Sequence, residues 1–214
     1  FEMSPFEVIQ AYQTIASDGF YSPLRSIREI TDLKGNTNLR YPYVIEQRLR
    51  PEPINLIKFA MQQTFIKGTA RGYSLKKINL WDAGGKTGTS DDQRDSWFVG
   101  YAGKYLVLVW LGFDDNRATP LTGRSGALQV WKNFINDIDP IPVEKTKLSR
   151  IVYAWTDLTD GLLSGPRCKG SILTPFVKGT EPSVTPDGRR NCGTSIEKNS
   201  SEVLFTISVE RIFN

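Results

Sequence analysis

The sequence predicts an α+β fold: an antiparallel sheet flanked by helices, incomplete in this chain, with a small β-rich appendage at its C-terminal end. Three observations carry that prediction. Apolar residues recur at helical spacing in three segments, near 4–17, 54–67 and 125–136. Between the second and third helices lie strand-like runs at 86–90, 97–101 and 105–111, with short polar turns between them. After Lys147 the pattern changes to short strands and turns.

The elements follow in chain order. Ser4-Pro5-Phe6-Glu7 is a capping box with proline at the first helical position. Phe6, Ile9, Tyr12 and Ala16 then recur at helical spacing until Asp18-Gly19 stops the helix. Residues 25–31 alternate enough for a strand, and Lys34-Gly35-Asn36 follows as a hairpin-like turn. The second helix is expected over 54–67, with Ile54, Ile57, Met61, Thr64 and Phe65 on one face and Gly68 as a left-handed terminator. Gly68-Thr69-Ala70-Arg71-Gly72 reads as a mobile loop leading back toward the first sheet strand. Ala102-Gly103-Lys104 turns the chain between the second and third strands. The last helix carries Leu128, Trp131 and Ile135, and Pro140-Ile141-Pro142 begins a linker. Strands are expected at 151–156 and 203–209. The predicted boundary therefore separates 1–138 from a linker and extension at 139–214.

Composition narrows the chemistry. The chain has 214 residues, 39% apolar and 23% charged, which is ordinary globular material able to form a sizeable core. Its formal charge of +4 comes from scattered lysines and arginines, so nucleic acid is not an expected partner. Histidine is absent, which removes Ser-His-Asp and Cys-His catalysis and most transition-metal sites. No metal or cofactor is expected. No apolar run approaches the roughly 18 residues of a membrane span, and the first residues have no signal-peptide pattern. The opening does not read like a natural start, and the chain is expected to be a fragment of something longer.

The stretch that organises the chain is Gly84-Gly85-Lys86-Thr87-Gly88-Thr89. One cation, two hydroxyls and bare glycine backbone suit a close approach to an anionic, polar ligand. A phosphate loop would need a glycine at position 80, where Leu80 stands, and a helix after the lysine. The K-T-G element of penicillin-recognising acyl-serine enzymes needs an edge strand instead, along which an extended peptide can pair. The surrounding strings are D-S-W-F-V-G-Y at 95–101, V-W-L-G-F-D-D at 109–115 and L-T-G-R-S-G-A at 121–127. With M-S-P-F-E-V-I-Q-A-Y-Q-T-I-A-S-D-G-F at 3–20 and M-Q-Q-T-F-I-K-G-T-A-R-G at 61–72, they resemble the C-terminal half of the transpeptidase domain of class A, bifunctional penicillin-binding proteins.

That resemblance implies roles for particular residues. Lys86 sets a positive field over a proton relay, and the Thr87 and Thr89 hydroxyls hold the substrate carboxylate. Gly88 keeps the strand bare, and the Thr89 backbone N–H is one oxyanion donor. A nucleophilic serine with a lysine three residues on, and an S-x-N element, complete such a site. Two S-x-x-K strings exist, Ser74–Lys77 and Ser195–Lys198. Ser74 lies too close to Lys86 for the family's spacing, and Ser195 is in the wrong order. No serine has asparagine two residues later. The resemblance therefore places both elements before Phe1, and this chain alone is expected to be inert.

The implied parent is a periplasmic peptidoglycan D,D-transpeptidase anchored in a bacterial inner membrane, with a glycosyltransferase upstream. Its expected partners are peptidoglycan stem peptides, β-lactams, the N-terminal part of the same protein and envelope regulatory proteins. A β-lactamase or carboxypeptidase, a penicillin-sensing domain and a structural envelope module are the alternatives. Asp95 opens the second strand as either a brace or a turn-favouring residue, and Arg124 lies in a loop on a substrate-side edge. Trp97, Tyr101, Trp110 and Trp131 read as core. For an envelope protein, Cys168 and Cys192 are expected to form a disulfide, contributing on the order of 3–4 kcal/mol in the chain-entropy model.

Overall fold

A computed structural model of the chain describes residues 3–144 and 147–182. Two compact units divide it, Phe1–Tyr153 with Pro175–Glu181, and Ala154–Thr174 with Pro182–Asn214.

The first unit opens with α1, Pro5–Ala16. Ser4 caps it: its hydroxyl accepts from the Glu7 N–H, and the Glu7 carboxylate accepts from the Ser4 N–H at 2.7 Å. The Ser4 N–H, and the Ser4 hydroxyl donating to the same carboxylate at 2.7 Å, hold the Glu7 carboxyl below its ordinary pKa. The face predicted for α1 is only partly core, because Phe6 is exposed. Its polar residues have a structural task that periodicity does not reveal. Gln10 Oε1 accepts from the Leu24 N–H and Gln13 Oε1 from the Ser22 N–H. Residues 22–28 form no strand, and the expected strand shrinks to β2, Glu29–Thr31. β2 pairs with β3, Thr37–Arg40, in an exposed hairpin. Two more short strands, β1 (Phe20–Tyr21) and β4 (Glu46–Gln47), also pair.

α2 runs Pro51–Ile66, three residues earlier than the sequence suggests, because Pro51 and Pro53 fit a helix's first turn. Ile54, Met61 and Phe65 are buried, whereas Ile57 is exposed. Gly68 is not left-handed. A Cβ there would lie 2.8 Å from the Thr64 Cα, so closeness of backbone rather than handedness demands glycine.

Strands β5 (Ala83–Thr89), β6 (Asp95–Ala102) and β7 (Tyr105–Gly112) form an antiparallel sheet in the order β5-β6-β7. β5 starts at Ala83, before the predicted 86, and its first three residues are buried. Small residues conceal this in the sequence: the Tyr101 ring covers Gly84 and the Phe98 ring covers Gly85. Helix α3, Ala127–Asp137, packs against β6 and β7, α2 against β5, and α1 against β7. Phe65, Phe98 and Trp131 meet where these elements converge, with ring centroids 5.0–6.1 Å apart. Trp131 is fully buried and its Nε1 donates to the Gly100 carbonyl at 3.2 Å. Of the other expected core aromatics, Tyr101 is buried, while Trp97 and Trp110 are half-buried against each other.

The second unit includes much of a hairpin made by β8, Ile151–Asp157, and β9, Ser171–Val177. The sequence suggests β8 but not β9, whose Pro175 disguises it. Cys168 is nearly buried and disulfide-bonded. Cys192 and the predicted strand at 203–209 lie outside the described residues. Among the described residues no helix is long and apolar enough to cross a membrane.

Candidate active-site wall

β5 pairs with β6 on one side, and no strand covers its other side among the described residues. Its register runs unbroken from Ala83↔Ala102 to Thr89↔Ser96. Two hydrogen bonds continue that register past both ends: Ser90 N–H to Asp95 O at 3.2 Å, and Gly103 N–H to Asp82 O at 3.0 Å. Antiparallel partners alternate between hydrogen-bonded and non-hydrogen-bonded pairs. Gly84, Lys86 and Gly88 therefore bond inward to β6. Gly85, Thr87 and Thr89 direct their backbone N–H and C=O groups to the open edge. Lys86 accords with this, since its Nζ donates to the Thr87 carbonyl at 2.8 Å.

The side chains sort by the same parity. Thr87 and Thr89 share a face, and Lys86 and Gly88 take the other. Lys86 and Thr89 are exposed, and Thr87 is half-buried. Lys86 sits in a strand, so the helix that a phosphate loop requires does not follow it. A Cβ on Gly88 would come within 3.1 Å of the Trp97 Cβ, a tight contact that favours glycine at that position.

Two loops bring further polar groups to the strand. From 68–72, the Thr69 Oγ1 lies 3.1 Å from the Thr87 Oγ1. From 122–126, the Gly123 N–H donates to the Thr89 Oγ1 at 2.9 Å. Gly123 is pressed so close to the strand that a Cβ would meet the Gly88 O at 2.6 Å and the Trp97 O at 2.7 Å. Arg124 joins the loops, donating to the Thr69 carbonyl and, at 3.3 Å, to the Arg71 carbonyl. Its guanidinium also lies 5.3 Å from the Tyr73 ring. The 68–72 loop is thus anchored, contrary to its expected mobility.

Residues the sequence left open now have contacts. Asp95 is a brace: its Oδ1 accepts from Trp110 Nε1 at 2.8 Å across the sheet, and its N–H donates to the Ser90 Oγ at 2.7 Å. The Ser74–Lys77 segment is not helical, and Lys77 pairs with Asp139 at 2.7 Å. Ser195 and Lys198 lie outside the described residues. Thr69 and Gly123 had no predicted role; they lie in the G-T-A-R-G string at 68–72 and the T-G-R-S-G string at 122–126, two loops that meet β5 only in the fold. Two surface hollows, lined by Trp110, Phe113 and Pro120 and by Phe6, Leu24 and Tyr43, include no β5 residue. No group of three or more metal-ligating residues gathers among the described residues. The arrangement is one wall: a cation, two hydroxyls and free backbone donors on a single edge.

The model of the penicillin-binding protein transpeptidase domain matches residues 1–121. Penicillin-binding protein 1B of Haemophilus influenzae is 43% identical over 136 residues, covering 64% of this chain and 17% of that protein. Penicillin-binding protein 1B of Escherichia coli K12 is 35% identical over 141 residues, covering 66% and 17%. The solved structure of penicillin-binding protein 1A from H. influenzae superposes with a TM-score of 0.73 at 22% identity, covering 86% of this chain and 33% of that one. That likeness is one of fold. The chain spans less than a fifth of the length of these two curated relatives. With the family model matched over more than half of its residues, the chain belongs to the penicillin-binding protein transpeptidase domain family.

Proposed function

We propose that this chain supplies the edge-strand wall of a serine-type peptidoglycan D,D-transpeptidase, whose nucleophile is carried elsewhere on a longer polypeptide. The observation that carries this is the parity of β5, which turns the Thr87 and Thr89 backbone groups outward beside Lys86. An extended D-alanine-terminated stem peptide pairs along that edge. Its carboxylate meets the Thr87 and Thr89 hydroxyls, and Lys86 adds positive potential. The serine attacks the penultimate carbonyl and forms an ester as D-alanine leaves. The amine of a neighbouring stem peptide then displaces the serine. In both steps the developing oxyanion accepts from the Thr89 N–H, one of two donors, and losing one such donor costs about 10²–10³ in rate. A β-lactam enters by the same route and stays as the acyl ester.

The family membership and the curated relatives' names support this function. The parent is a periplasmic enzyme held at the inner membrane, with a peptidoglycan glycosyltransferase upstream, and residues 139–214 are a linker and extension stapled by Cys168–Cys192. Fluorescent penicillin tests the division of labour. Labelling of the full-length protein and none of residues 1–214 alone is the expected result. Labelling of the isolated chain at Ser74 or Ser195 would overturn it.

A further inference from the structure

Both threonine hydroxyls of the strand already have a polar partner behind them. A hydroxyl has one proton to donate and two lone pairs to accept with. The Gly123 N–H can only donate, so the Thr89 Oγ1 is its acceptor at 2.9 Å and keeps its own proton for another partner. At Thr87 the partner is the Thr69 hydroxyl, 3.1 Å away, and geometry alone allows either to donate. The ligand decides between them: an ionised carboxylate only accepts. It can be held by Thr87 only if Thr87 donates outward and takes Thr69's proton from behind. Such a chain polarises each successive hydrogen bond in the same direction.

Thr69 lies in a loop and is held there by a contact from the 122–126 loop. Its carbonyl receives the Arg124 guanidinium, which also holds the Arg71 carbonyl. Arg124 is itself fixed, since its carbonyl accepts from Gln129 Nε2 at 3.1 Å and the same amide donates to the Tyr73 hydroxyl. The turn carrying Arg124 is closed by Thr122 and Ser125, with the Thr122 N–H donating to the Ser125 Oγ at 2.9 Å.

We infer that Thr69 and Gly123 preset the strand hydroxyls as outward donors, making the edge selective for a carboxylate over a neutral acceptor, with Arg124 as the positioning residue for Thr69. This rests on the assignment of Thr87 and Thr89 to the substrate carboxylate. Thr69 acts through Thr87 and makes no contact with the ligand itself.

The test compares acylation of the full-length protein by benzylpenicillin and by its methyl ester, which lacks the anionic acceptor. The wild type should favour the free acid. Thr69→Val should lower the acid-over-ester rate ratio by about 10-fold, the order expected for one weakened charge-assisted hydrogen bond, with the ester rate within about 2-fold of wild type. Thr69→Ser should restore the ratio, and Arg124→Met should lower it. Equal falls for acid and ester in Thr69→Val would mean a merely structural role and would overturn the inference, as would an unchanged ratio. A wild-type ratio near one would remove the carboxylate site itself, an outcome read without any variant and so distinct from failure of the Thr69 mechanism.

Discussion

Gly123→Ala is the sharpest single perturbation of this wall. The added methyl would stand 2.6 Å from the Gly88 O, 2.7 Å from the Trp97 O and 3.0 Å from the Gly88 N. All three are backbone atoms of paired strands, so none can rotate away. Reaching an ordinary contact of about 3.5 Å requires the loop to retreat by roughly 0.9 Å. The Gly123 N–H to Thr89 Oγ1 bond, now 2.9 Å, would then stretch to about 3.8 Å and cease to be a hydrogen bond. Overpacking of this kind costs about 1–3 kcal/mol, and the lost bond about 1 kcal/mol more. For a domain of this class, a loss of about 2–4 kcal/mol lowers Tm by about 5–10 °C. Differential scanning calorimetry of the full-length variant gives that shift, and stopped-flow acylation by benzylpenicillin should fall about 10-fold or more. A Gly123→Ala protein with wild-type Tm and acylation rate would refute the reasoning, because it would mean the 122–126 loop does not bear on β5.

Four further outcomes follow from the same contacts. Lys86→Met should reduce penicillin acylation by about 10²-fold with Tm nearly unchanged, since Lys86 is exposed and bonds only its neighbour's carbonyl among the interactions described. Trp131→Ala should cost about 3–5 kcal/mol in chemical unfolding, and Trp131→Phe about 1–2 kcal/mol, because the indole fills the core and caps Gly100. A double-mutant cycle of Asp95→Ala and Trp110→Phe should return a coupling of about 1–2 kcal/mol; additivity would mean the cross-sheet bond contributes nothing. Burial pushes the Tyr101 phenol well above its ordinary value of 10.0. The folded state therefore keeps a proton that the unfolded state releases, and Tyr101's contribution to stability should be lost as pH rises past that value, a fall that Tyr101→Phe should lessen.

How much was legible in the sequence depended on what each element displays. β6 and β7 announce themselves because aromatic and branched residues fill them, and α3 because Leu128, Trp131 and Ile135 share one stripe. The first half of β5 does not, since Ala83, Gly84 and Gly85 have little side chain, and the Tyr101 and Phe98 rings of the neighbouring strand cover the two glycines. Residues 25–31 look strand-like by alternation, yet only 29–31 pair as a strand, and just before them the Ser22 and Leu24 N–H groups bond to Gln13 and Gln10, long-range partners no local pattern encodes. The site was readable where chemistry is carried by a contiguous string, Lys86 to Thr89. Thr69 and Gly123 were not, because their contribution comes from loops that approach β5 only in three dimensions. Arg124 could be placed near the edge, but its carbonyl partners at Thr69 and Arg71 lie more than fifty positions away.

The claim on which the rest depends is that the unpaired edge of β5 receives the ligand. A crystal structure of the full-length protein acylated by benzylpenicillin measures this directly. The account predicts the ligand carboxylate within hydrogen-bonding distance of the Thr87 and Thr89 hydroxyls, with its acyl oxygen on the Thr89 N–H. An acyl group seated elsewhere, with that edge unoccupied, would contradict it.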